Sequence, residues 1–478
     1  MPSASPNQSK RHSAARLLHP QSIAVIGAGD RLSSSGGAVL RNLISSKFLG
    51  RIVPVNPKGG ELFGLPVARS ILDVSPACDL VVIVVRPDII LDVVRDAVTS
   101  GHRNFLVLPG GFAESGDQGS ARDRALRELA QQHGLTVAGP NCAGIINQLD
   151  IETAFAATFL RDLPRGGKVA LISQSGAIAE EIIASSHSMN IPLGAVVTVG
   201  NAMHLGLAEY LDEFGADPNC AVVLLYAESF GDMNAFRDAA KRVACTKPIV
   251  VLGGGRTAAG RAAALRHTGS HTMDEASAAA FYRDCGMVRA VSLRQLMLAG
   301  KAFSAHPHGI GERVLILSNS GGPGVLCADR CTLEGLELPK LPPNIAARLR
   351  QILPAEASVA NPLDLLADAR EDRFAQTLIA ALEEGAAAFD AILIIHVVPF
   401  MVDGDAVVAR LAQLCRGADM AILHAMMGTL EHKSAWMTAM ETAGVPMFDN
   451  VEDMAEAAGL LARYRSQHPS PTSQSTRV

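Results

Sequence analysis

The sequence lacks four features that would each mark a class of protein. Its eight cysteines are scattered and form no CxxC pair, which argues against a structural zinc site and against a disulfide framework. No apolar run approaches the roughly 18 residues that a membrane span requires. Basic residues are not in excess, because 42 of them stand against 47 acidic ones and the net charge is −5. The first 19 residues lack the apolar core of a secretory signal.

These absences narrow the possible functions. Without a cationic surface we expect no nucleic acid as a partner, and without an apolar span we expect no membrane association. Scattered thiols are typical of the reducing cytosol, so we expect a cytoplasmic protein without a metal site. The polar ends of the chain, residues 1–17 and 466–478, are predicted to be disordered tails.

The length and the apolar content indicate several α/β domains. At roughly 150 residues per domain, 478 residues correspond to about three domains. Short β-branched runs alternate with longer Ala/Leu-rich stretches of helical period, the pattern of parallel sheets wrapped by helices. The predicted strands are Ser22–Ile26, Arg51–Val55, Leu80–Val85, Asn104–Leu108, Val169–Ile172, Ala195–Val199, Ala221–Tyr226, Pro248–Leu252, Arg313–Leu317, Ala391–His396 and Met420–His424.

A strand runs three times into a turn rich in Ser and Gly that opens a helix. The three turns lie in AVIGAGDRLSSSGG, VALISQSGA and VLILSNSGG, one in each third of the chain, which predicts three sheets of nucleotide-binding type in series. The interruptions RDLPRGGK and SAHPHGIGER separate them. The predicted domains are residues 18–160, 161–306 and 307–465.

The first of these turns is a candidate anion site. A strand that ends at Gly27 and a helix that starts near Gly36 place unpaired N–H groups and a positive helix end at the edge of the sheet. AVIGAG could also open an NAD site, but the full GxGxxG spacing is absent. Lys58 stands where that site would need an acid to hold a ribose. A lysine there favours a phosphorylated ligand.

The segment RHTGSHT contains a candidate catalytic histidine, His267. It lies with five glycines and three arginines in GGGRTAAGRAAALRHTG, which begins just after a strand. His267 and His271 are four residues apart without a nearby carboxylate pair, which disfavours a metal site. The residues alone leave two interpretations open, a catalyst and a hydrogen-bonded histidine in a loop. The Ser and Gly of SQSGA have a purely structural interpretation too, as capping and turn residues.

Taken together, these segments resemble the ADP-forming acyl-CoA synthetases, relatives of the succinyl-CoA synthetase α chain. SIAVIGAG, PVNPKGGELFGLPV, PGGFAESG and GPNCAGIIN resemble the CoA-binding domain of that family. VALISQSGA, VTVGN, VVLLYAESF and RHTGS resemble its second domain, and ILSNSGGPGVL with ILPAEASVANPLDL resembles its third. The resemblance implies a Rossmann-like CoA-binding domain followed by two flavodoxin-like domains.

The resemblance implies that His267 is a phosphohistidine. The expected chemistry converts acyl-CoA and phosphate to an acyl-phosphate, then to phosphohistidine, and finally makes ATP from ADP. The reverse direction makes acyl-CoA. A neutral imidazole nitrogen is a competent nucleophile when an acceptor holds its other nitrogen, and Glu228 matches the acidic residue that does this in the family.

The resemblance also assigns two sets of binding residues. Those expected to stabilise the phosphoryl group are Ser173, Gln174, Ser175, Gly176 and Gly269. Those expected to bind CoA are Gly27, Gly29, Ser35, Gly36, Val55, Asn56, Lys58, Pro87, Gly111, Asn141 and Cys142. Asn141 and Cys142 are placed near the thiol end of CoA, and the family's chemistry needs no cysteine nucleophile.

No segment of the chain resembles an ATP-grasp domain. We therefore expect a separate ATP-grasp β subunit that carries ATP or ADP with Mg²⁺, in an α₂β₂ assembly or with a homodimer of this chain. The chain departs from the family at Gly253 or Gly254, where relatives usually carry a lysine, and in SHTM after His267. The alternatives are a CoA-dependent acyl- or carbamoyl-transfer subunit without the phosphate relay, or a non-catalytic CoA-binding protein.

Overall fold

The computed structural model describes residues 14–31, 33–268, 272–428 and 430–468, with only the backbone of residues 267 and 268. Within these ranges the chain divides into two compact units between Val291 and Ser292. No helix in the described ranges is long and apolar enough to span a membrane. Gly269 and most of the predicted tails lie outside the described residues.

The first sheet lies in the first unit and has five parallel strands in the order β2-β1-β5-β6-β7. A two-stranded hairpin, β3 with β4, lies beside it. The strands are β1 (Ser22–Ile26), β2 (Arg51–Val55), β3 (Glu61–Leu62), β4 (Leu65–Pro66), β5 (Leu80–Ile83), β6 (Asn104–Val107) and β7 (Thr136–Ala138). The helices are α1 (residues 14–18), α2 (Ser35–Ser45), α3 (Ile90–Thr99) and α4 (Gly116–His133).

The second sheet also lies in the first unit and has the order β14-β13-β12-β10-β11-β8-β9. Its strands are β8 (Gly144–Asn147), β9 (Phe155–Thr158), β10 (Val169–Ser173), β11 (Leu193–Thr198), β12 (Val222–Ala227), β13 (Ile249–Gly253) and β14 (Val288–Arg289). Its helices are α5 (Gly176–Met189), α6 (Leu207–Ala216), α7 (Met233–Ala244), α8 (Ala258–Thr268) and α9 (Glu275–Asp284). β8 and β9 extend it in antiparallel fashion, so residues 144–158 pair with the second sheet although the predicted boundary lies at 160.

The third sheet lies in the second unit, is parallel, and has the order β16-β15-β17-β18-β19. Its strands are β15 (Val314–Ser318), β16 (Leu363–Asp364), β17 (Ala391–Val397), β18 (Ala421–Met427) and β19 (Met447–Phe448). The helices are α10 (Leu293–Ala305), α11 (Gly321–Leu333), α12 (Pro343–Ile352), α13 (Glu371–Glu384), α14 (Gly404–Cys415), α15 (Lys433–Thr442) and α16 (Val451–Gln467).

All three sheets share one strand order. Counting only the parallel strands of each sheet in chain order, the order is 2-1-3-4-5, the doubly wound arrangement in which ligands bind where the chain reverses direction across the sheet. That switch point lies between β1 and β5, between β10 and β12, and between β15 and β17. The predicted α/β fold with three serial nucleotide-type sheets is confirmed.

The predicted strands are all present, each within three residues of its predicted ends. They form because their side chains are buried on both faces, as in β5, where Leu80, Val81, Val82 and Ile83 are all fully buried. The strands that the sequence did not reveal are short, from two to four residues, too short for a periodic signal.

The predicted N-terminal tail ends earlier than expected. Residues 14–18 are helical, and Ala14, Leu17 and Leu18 are 0%, 0% and 1% exposed in the core of the first unit. The carboxamide of Asn147 donates to the carbonyl of Leu18 at 3.0 Å. The apolar side chains in ARLL therefore anchor this segment. At the other end, α16 continues to Gln467.

Two histidines lie in the core of the second unit. His396 on β17 and His424 on β18 are 0% exposed, and their rings stack at 6.0 Å between centroids with planes 14° apart. None of their four ring nitrogens has a hydrogen-bond partner among the described residues. Burial lowers the pKa of His396 to about 4. Burial, then His396 and Lys433, lowers the pKa of His424 to about 3.

We expect the second unit to lose stability as the pH falls below about 6.5, where histidines of an unfolded chain gain protons that the folded core excludes. The unfolding constant should rise up to tenfold per pH unit for each histidine. The only tryptophan, Trp436, lies in this unit, so urea unfolding followed by its fluorescence between pH 7 and pH 5 measures the effect.

The double substitution of His396→Phe and His424→Leu should flatten this pH dependence, whereas replacing the exposed His308 by leucine should leave it intact. The interpretation fails if the midpoint in urea is the same at pH 7 and pH 5, or if the double variant keeps the wild-type slope.

Candidate functional site

The turn SQSG lies at the switch point of the second sheet, directly after β10. The Ser173 hydroxyl donates to the carbonyl of Ser175 at 2.7 Å and accepts from its N–H at 3.1 Å. The Ser175 hydroxyl accepts from the N–H of Ile178 at 3.3 Å and caps α5. These bonds fix the turn and leave the N–H groups of Gly176 and Ala177 at the positive end of the helix.

Gln174 faces the neighbouring strand end. Its Oε1 accepts from the backbone N–H groups of Glu228 at 2.5 Å and Ser229 at 3.0 Å. Its Nε2 donates to the carbonyl of Ser229 at 2.8 Å. The carboxamide therefore ties the turn after β10 to the residues that follow β12.

Glu228 is half-buried at the end of β12. The hydroxyl of Tyr226 donates to its Oε1 at 3.2 Å. Burial and the charge of Glu228 raise the pKa of Tyr226 to about 12, so the phenol stays a hydrogen-bond donor at neutral pH. The carboxylate is thus oriented by a side chain two residues earlier on the same strand.

A small cavity of about 20 Å³ lies beside Glu228, with room for about one water molecule. Arg256, Tyr282 and Arg289 are among its lining residues. Glu275 forms an ion pair with Arg256 at 3.3 Å and a second one with Arg289. The hydrogen bond from Arg289 is the main cause that lowers the pKa of Glu275. The two arginines and one glutamate leave one net positive charge near the Glu228 carboxylate.

His267 lies in the last turn of α8, which begins after the loop that follows β13. The hydroxyl of Thr257 accepts from the N–H of Gly260 at 3.1 Å at the start of this helix. The N–H of Gly254 donates to the carbonyl of Ala227 at 2.9 Å, so the loop is joined to the strand that leads to Glu228. The His267 side chain and Gly269 lie outside the described residues, and the contact between His267 and Glu228 stays a prediction.

The predicted phosphate-binding turn lies at the first switch point, between β1 and β5. Gly27 has φ +89°, and a Cβ there would collide with the carbonyl of Val84. A Cβ on Gly36 would collide with the carbonyl of Gly27. The turn and the helix therefore approach closely only because both positions are glycine. Ser34 caps α2 by accepting from the N–H of Gly37 at 3.2 Å, which places Ser35 and Gly36 in its first turn.

The segment after β2 is held against this turn. Gly27 donates its N–H to the carbonyl of Val55 at 3.1 Å. Asn56 donates from Nδ2 to the carbonyl of Ala28 at 2.8 Å and accepts the N–H of Lys58 on Oδ1 at 3.0 Å. Lys58 is exposed. Its ammonium has no carboxylate partner among the described residues and is available to an anionic ligand.

Two other predicted CoA-binding positions, Pro87 and Gly111, are in direct contact. A Cβ on Gly111 would lie 2.8 Å from Cγ of Pro87. Gly29 lies close to Ser34, the serine that caps α2. A Cβ on Gly29 would be 3.6 Å from the Ser34 hydroxyl. The predicted residues after β1, β2, β5 and β6 therefore share the carboxyl edge of the first sheet.

The loop GPNCAG joins the two sheets of the first unit. Asn141 donates from Nδ2 to Oδ1 of Asn201 at 3.2 Å, and Asn201 donates to Oε2 of Glu114 at 2.5 Å. The other oxygen of Glu114 accepts the N–H of Gly111 at 2.5 Å. Burial raises the pKa of Glu114, but hydrogen bonds from Asn201 and backbone N–H groups outweigh it and lower the pKa overall.

Glu114 and Asn201 were not among the predicted site residues. Both stand in segments that resemble the family, PGGFAESG and VTVGN, which was the available signal. Cys142, which was predicted, is buried, and burial raises the pKa of its thiol to about 12. A thiol with that pKa is a poor nucleophile at neutral pH.

The same loop lies against the start of α5. A Cβ on Gly176 would be 3.2 Å from the Cβ of Ala143. The hydroxyl of Thr198 accepts from the N–H groups of Ala143 at 2.8 Å and Gly144 at 2.9 Å. The position predicted for the thiol end of CoA is therefore next to the helix start predicted to hold phosphate.

Family models and known proteins match nearly the whole chain. Residues 21–148 match the family model described as a CoA binding domain, residues 166–303 a succinyl-CoA ligase like flavodoxin domain, and residues 314–469 a Ligase-CoA domain. The chain is 30% identical to the acetate–CoA ligase [ADP-forming] II subunit alpha of Pyrococcus furiosus over 94% of its length and 97% of that subunit. It belongs to the ADP-forming acyl-CoA synthetases.

Other members of the ADP-forming acyl-CoA synthetases show the same relation. The chain is 34% identical to acetate–CoA ligase [ADP-forming] I of Archaeoglobus fulgidus over 76% of its length, but this covers only 52% of that protein. The chain therefore spans about half the length of some of the curated relatives it matches. The acetyl-coenzyme A synthetase 1 of Ca. Korarchaeum cryptofilum, solved with phosphate and ADP, has a TM-score of 0.87 and 31% identity over 97% of this chain and 99% of the matched one.

Side chains of this chain crowd Gly253 and Gly254, in the turn where the resemblance leads us to expect a lysine. A Cβ on Gly253 would collide with the hydroxyl of Tyr282, and one on Gly254 would lie 3.0 Å from Cγ of Glu228. A larger residue at either position would therefore disturb the packing of Tyr282 or Glu228.

We expect Lys58→Glu to weaken CoA binding at least tenfold, about 1.4 kcal/mol, because the exposed lysine belongs to the segment that Asn56 holds against the phosphate-binding turn. The loss should shrink at high salt, since exposed charges are screened. Calorimetry with CoA measures it. Lys168→Glu is the control, because this exposed lysine precedes β10 at the opposite edge of its sheet. Unchanged affinity in Lys58→Glu, or an equal loss in Lys168→Glu, would remove Lys58 from the site.

Proposed function

We propose that this chain is the α subunit of an ADP-forming acyl-CoA synthetase that works through an acyl-phosphate and a phosphohistidine. The overall reaction joins an acid, CoA and ATP to give acyl-CoA, ADP and phosphate, and it is reversible. The observation that carries the proposal is the contact of the GPNCAG loop with the start of α5. Gln174, in the turn just before this helix, accepts a hydrogen bond from the backbone of Glu228 and so holds that residue nearby. The thioester, the phosphate and the carboxylate that orients His267 would thus lie close together.

Three bond exchanges make up the reaction in the direction of ATP synthesis. A phosphate oxygen attacks the thioester carbonyl, and CoA leaves as the thiol after taking up a proton. A ring nitrogen of His267 then attacks phosphorus, and the bond to the carboxylate oxygen breaks. Finally a terminal oxygen of ADP attacks the phosphohistidine, and the phosphorus–nitrogen bond breaks to leave ATP and free histidine.

The chain's own groups have distinct parts in these steps. Glu228 accepts a hydrogen bond from the second ring nitrogen of His267, fixes the tautomer and offsets the positive charge that develops during attack. The N–H groups of Gly176 and Ala177 at the start of α5 stabilise the negative phosphoryl oxygens. Arg256 and Arg289 add net positive charge nearby.

CoA would bind along the carboxyl edge of the first sheet. The start of α2 and Lys58 hold its phosphates, and Pro87 and Gly111 border the path to Asn141. Cys142 lies below this path as a buried thiol and takes no part in the chemistry. The hydrogen bonds from Asn141 through Asn201 to Glu114 fix the loop at the thiol end.

The nucleotide site is assigned to a second chain. The relative that this chain covers to 97% is named a subunit alpha, while the longer relative has a further half that this chain does not match. We assign to the partner an ATP-grasp β subunit with ATP or ADP and Mg²⁺, in an α₂β₂ complex. The acyl group is that of a small carboxylic acid.

We expect radiolabelled phosphate to enter the protein in the presence of acetyl-CoA as the first acyl-CoA probe, on a bond that is labile in acid and stable in base, as expected of a phosphoramidate. His267→Ala and His267→Asn should abolish the label, because each removes the nucleophilic nitrogen. Glu228→Gln should slow labelling by roughly 10² to 10⁴, the scale for losing a group that orients a catalytic base.

His271→Ala is the matched control, since it removes the other histidine of the segment and should keep most of the label. Label that persists in His267→Ala, or that moves to His271, contradicts the assignment. If neither acetyl-CoA nor longer acyl-CoA thioesters label the wild type, the alternative of a CoA-dependent protein without the phosphate relay is favoured.

We expect the purified 478-residue chain to show no steady turnover of ATP with acid and CoA, because the nucleotide site belongs to the partner. Adding an ATP-grasp subunit should restore turnover. A coupled ADP-release assay measures both. Sustained turnover by the chain alone, with mass spectrometry showing no second protein, would place a nucleotide site within this chain.

A further inference from the structure

We propose that Gln174 is a positioning residue for Glu228 and not a ligand of the phosphoryl group. The proposal rests on the proposed function, because it concerns the residue assigned there as the acceptor for His267. It revises the role that family resemblance gave to Gln174, which was grouped with the phosphate-stabilising residues.

The first argument is the hydrogen-bonding capacity of the side chain. A carboxamide has two donors and one oxygen with two lone pairs. Here Oε1 accepts from two backbone N–H groups, those of Glu228 and Ser229. Nε2 donates to the carbonyl of Ser229 at 2.8 Å and to its hydroxyl at 3.3 Å. All four positions are directed at residues 228 and 229, which leaves none for a phosphoryl oxygen.

The second argument is the location of these bonds. β10 and β12 pair up to Ser173 and Tyr226, and the N–H of Gln174 bonds the carbonyl of Tyr226 at 3.1 Å. Beyond this point the chain after β10 turns into α5 and no longer runs beside β12. The side chain of Gln174 takes the place of a neighbouring strand, bonding the backbone of Glu228 and Ser229 as a strand would.

The third argument is that a carboxamide also bonds the neighbouring strand end in the second unit, where the bonded residue is not an acid. Asn319 accepts the N–H of Val397 at 2.9 Å and donates to its carbonyl at 2.8 Å. Ser318 and Ser320 repeat the bonds of the SQSG turn, at 2.8 and 3.1 Å.

The register places Val397 where Glu228 stands in the second sheet. Ser173 pairs with Tyr226 and Ser318 pairs with Ile395, and Glu228 and Val397 each follow two residues later. Asn319 bonds the backbone of a valine, which has no polar side chain to orient, so this carboxamide has a purely structural role. By analogy, the carboxamide of Gln174 holds the backbone that carries the Glu228 carboxylate.

The test separates position from ligand binding by kinetics. Single-turnover formation of the phosphohistidine is measured at increasing phosphate for wild type, Gln174→Leu and Gln174→Glu, with the acyl-CoA that labels the wild type best. A positioning role predicts a maximal rate reduced 10-fold or more in Gln174→Leu, with the half-saturating phosphate concentration within about twofold of wild type.

Gln174→Glu keeps the acceptor for both N–H groups but replaces the donor to Ser229 by an oxygen. We expect it to retain a maximal rate between those of wild type and Gln174→Leu, because one half of the clamp survives. A phosphate ligand would behave differently, since a new negative charge would raise the half-saturating phosphate concentration most in Gln174→Glu.

Asn42→Leu is the structural control. The Asn42 side chain donates to the carbonyls of Thr158 and Leu160 at 2.8 and 2.9 Å, a comparable clamp on a different strand, and its loss should leave the maximal rate unchanged. CoA affinity measured on each variant reports an intact first unit. A maximal rate near wild type in Gln174→Leu, or a change confined to the half-saturating phosphate concentration, overturns the positioning role. Absence of any label in the wild type instead refutes the proposed function.

Discussion

The candidate site depends on one constraint in the second sheet, where the chain segments after β10 and β12 separate and leave backbone groups that need hydrogen-bond partners. A doubly wound sheet sends the chain to opposite faces at its switch point, so the strand ends there lose their ladder partners. Buried backbone groups must still be paired, and Gln174 pairs those of Glu228 and Ser229. The acid that follows β12 is thereby held at a fixed distance from the helix start that follows β10. The loop that contains Asn141 borders the same site, because it packs against Gly176 at this helix start.

Most of the fold could be predicted because buried parallel strands have an unmistakable composition. Runs such as Leu80–Ile83 are apolar throughout and end in turn residues. β8 and β9 could not be assigned, since the antiparallel extension of the second sheet depends on pairing across distant segments. Residues 14–17 of the first helix were assigned to a tail because a few buried side chains in a polar segment give little signal.

The candidate site could be predicted only in part. Turns after β1 and β10 follow from local rules for glycine and serine. The structure brings residues that the resemblance predicts to bind CoA to one sheet edge, but their contact with CoA stays a prediction. Glu114 and Asn201 belong to separate loops, and only their hydrogen bond relates them. Gln174 was named for phosphate, yet its side chain bonds the backbone beside it. Tertiary contacts decide which polar residue faces a ligand and which one supports a neighbour.

A crystal structure of the chain with CoA and phosphate tests the central claim most directly, because it locates both ligands at once. The account predicts the CoA thiol beside Asn141 and a phosphate ion bonded to the N–H groups of Gly176 and Ala177, with the Glu228 carboxylate directed at the ring of His267. CoA bound with its thiol away from Asn141, or a phosphate ion bound elsewhere with the start of α5 empty, would contradict the account.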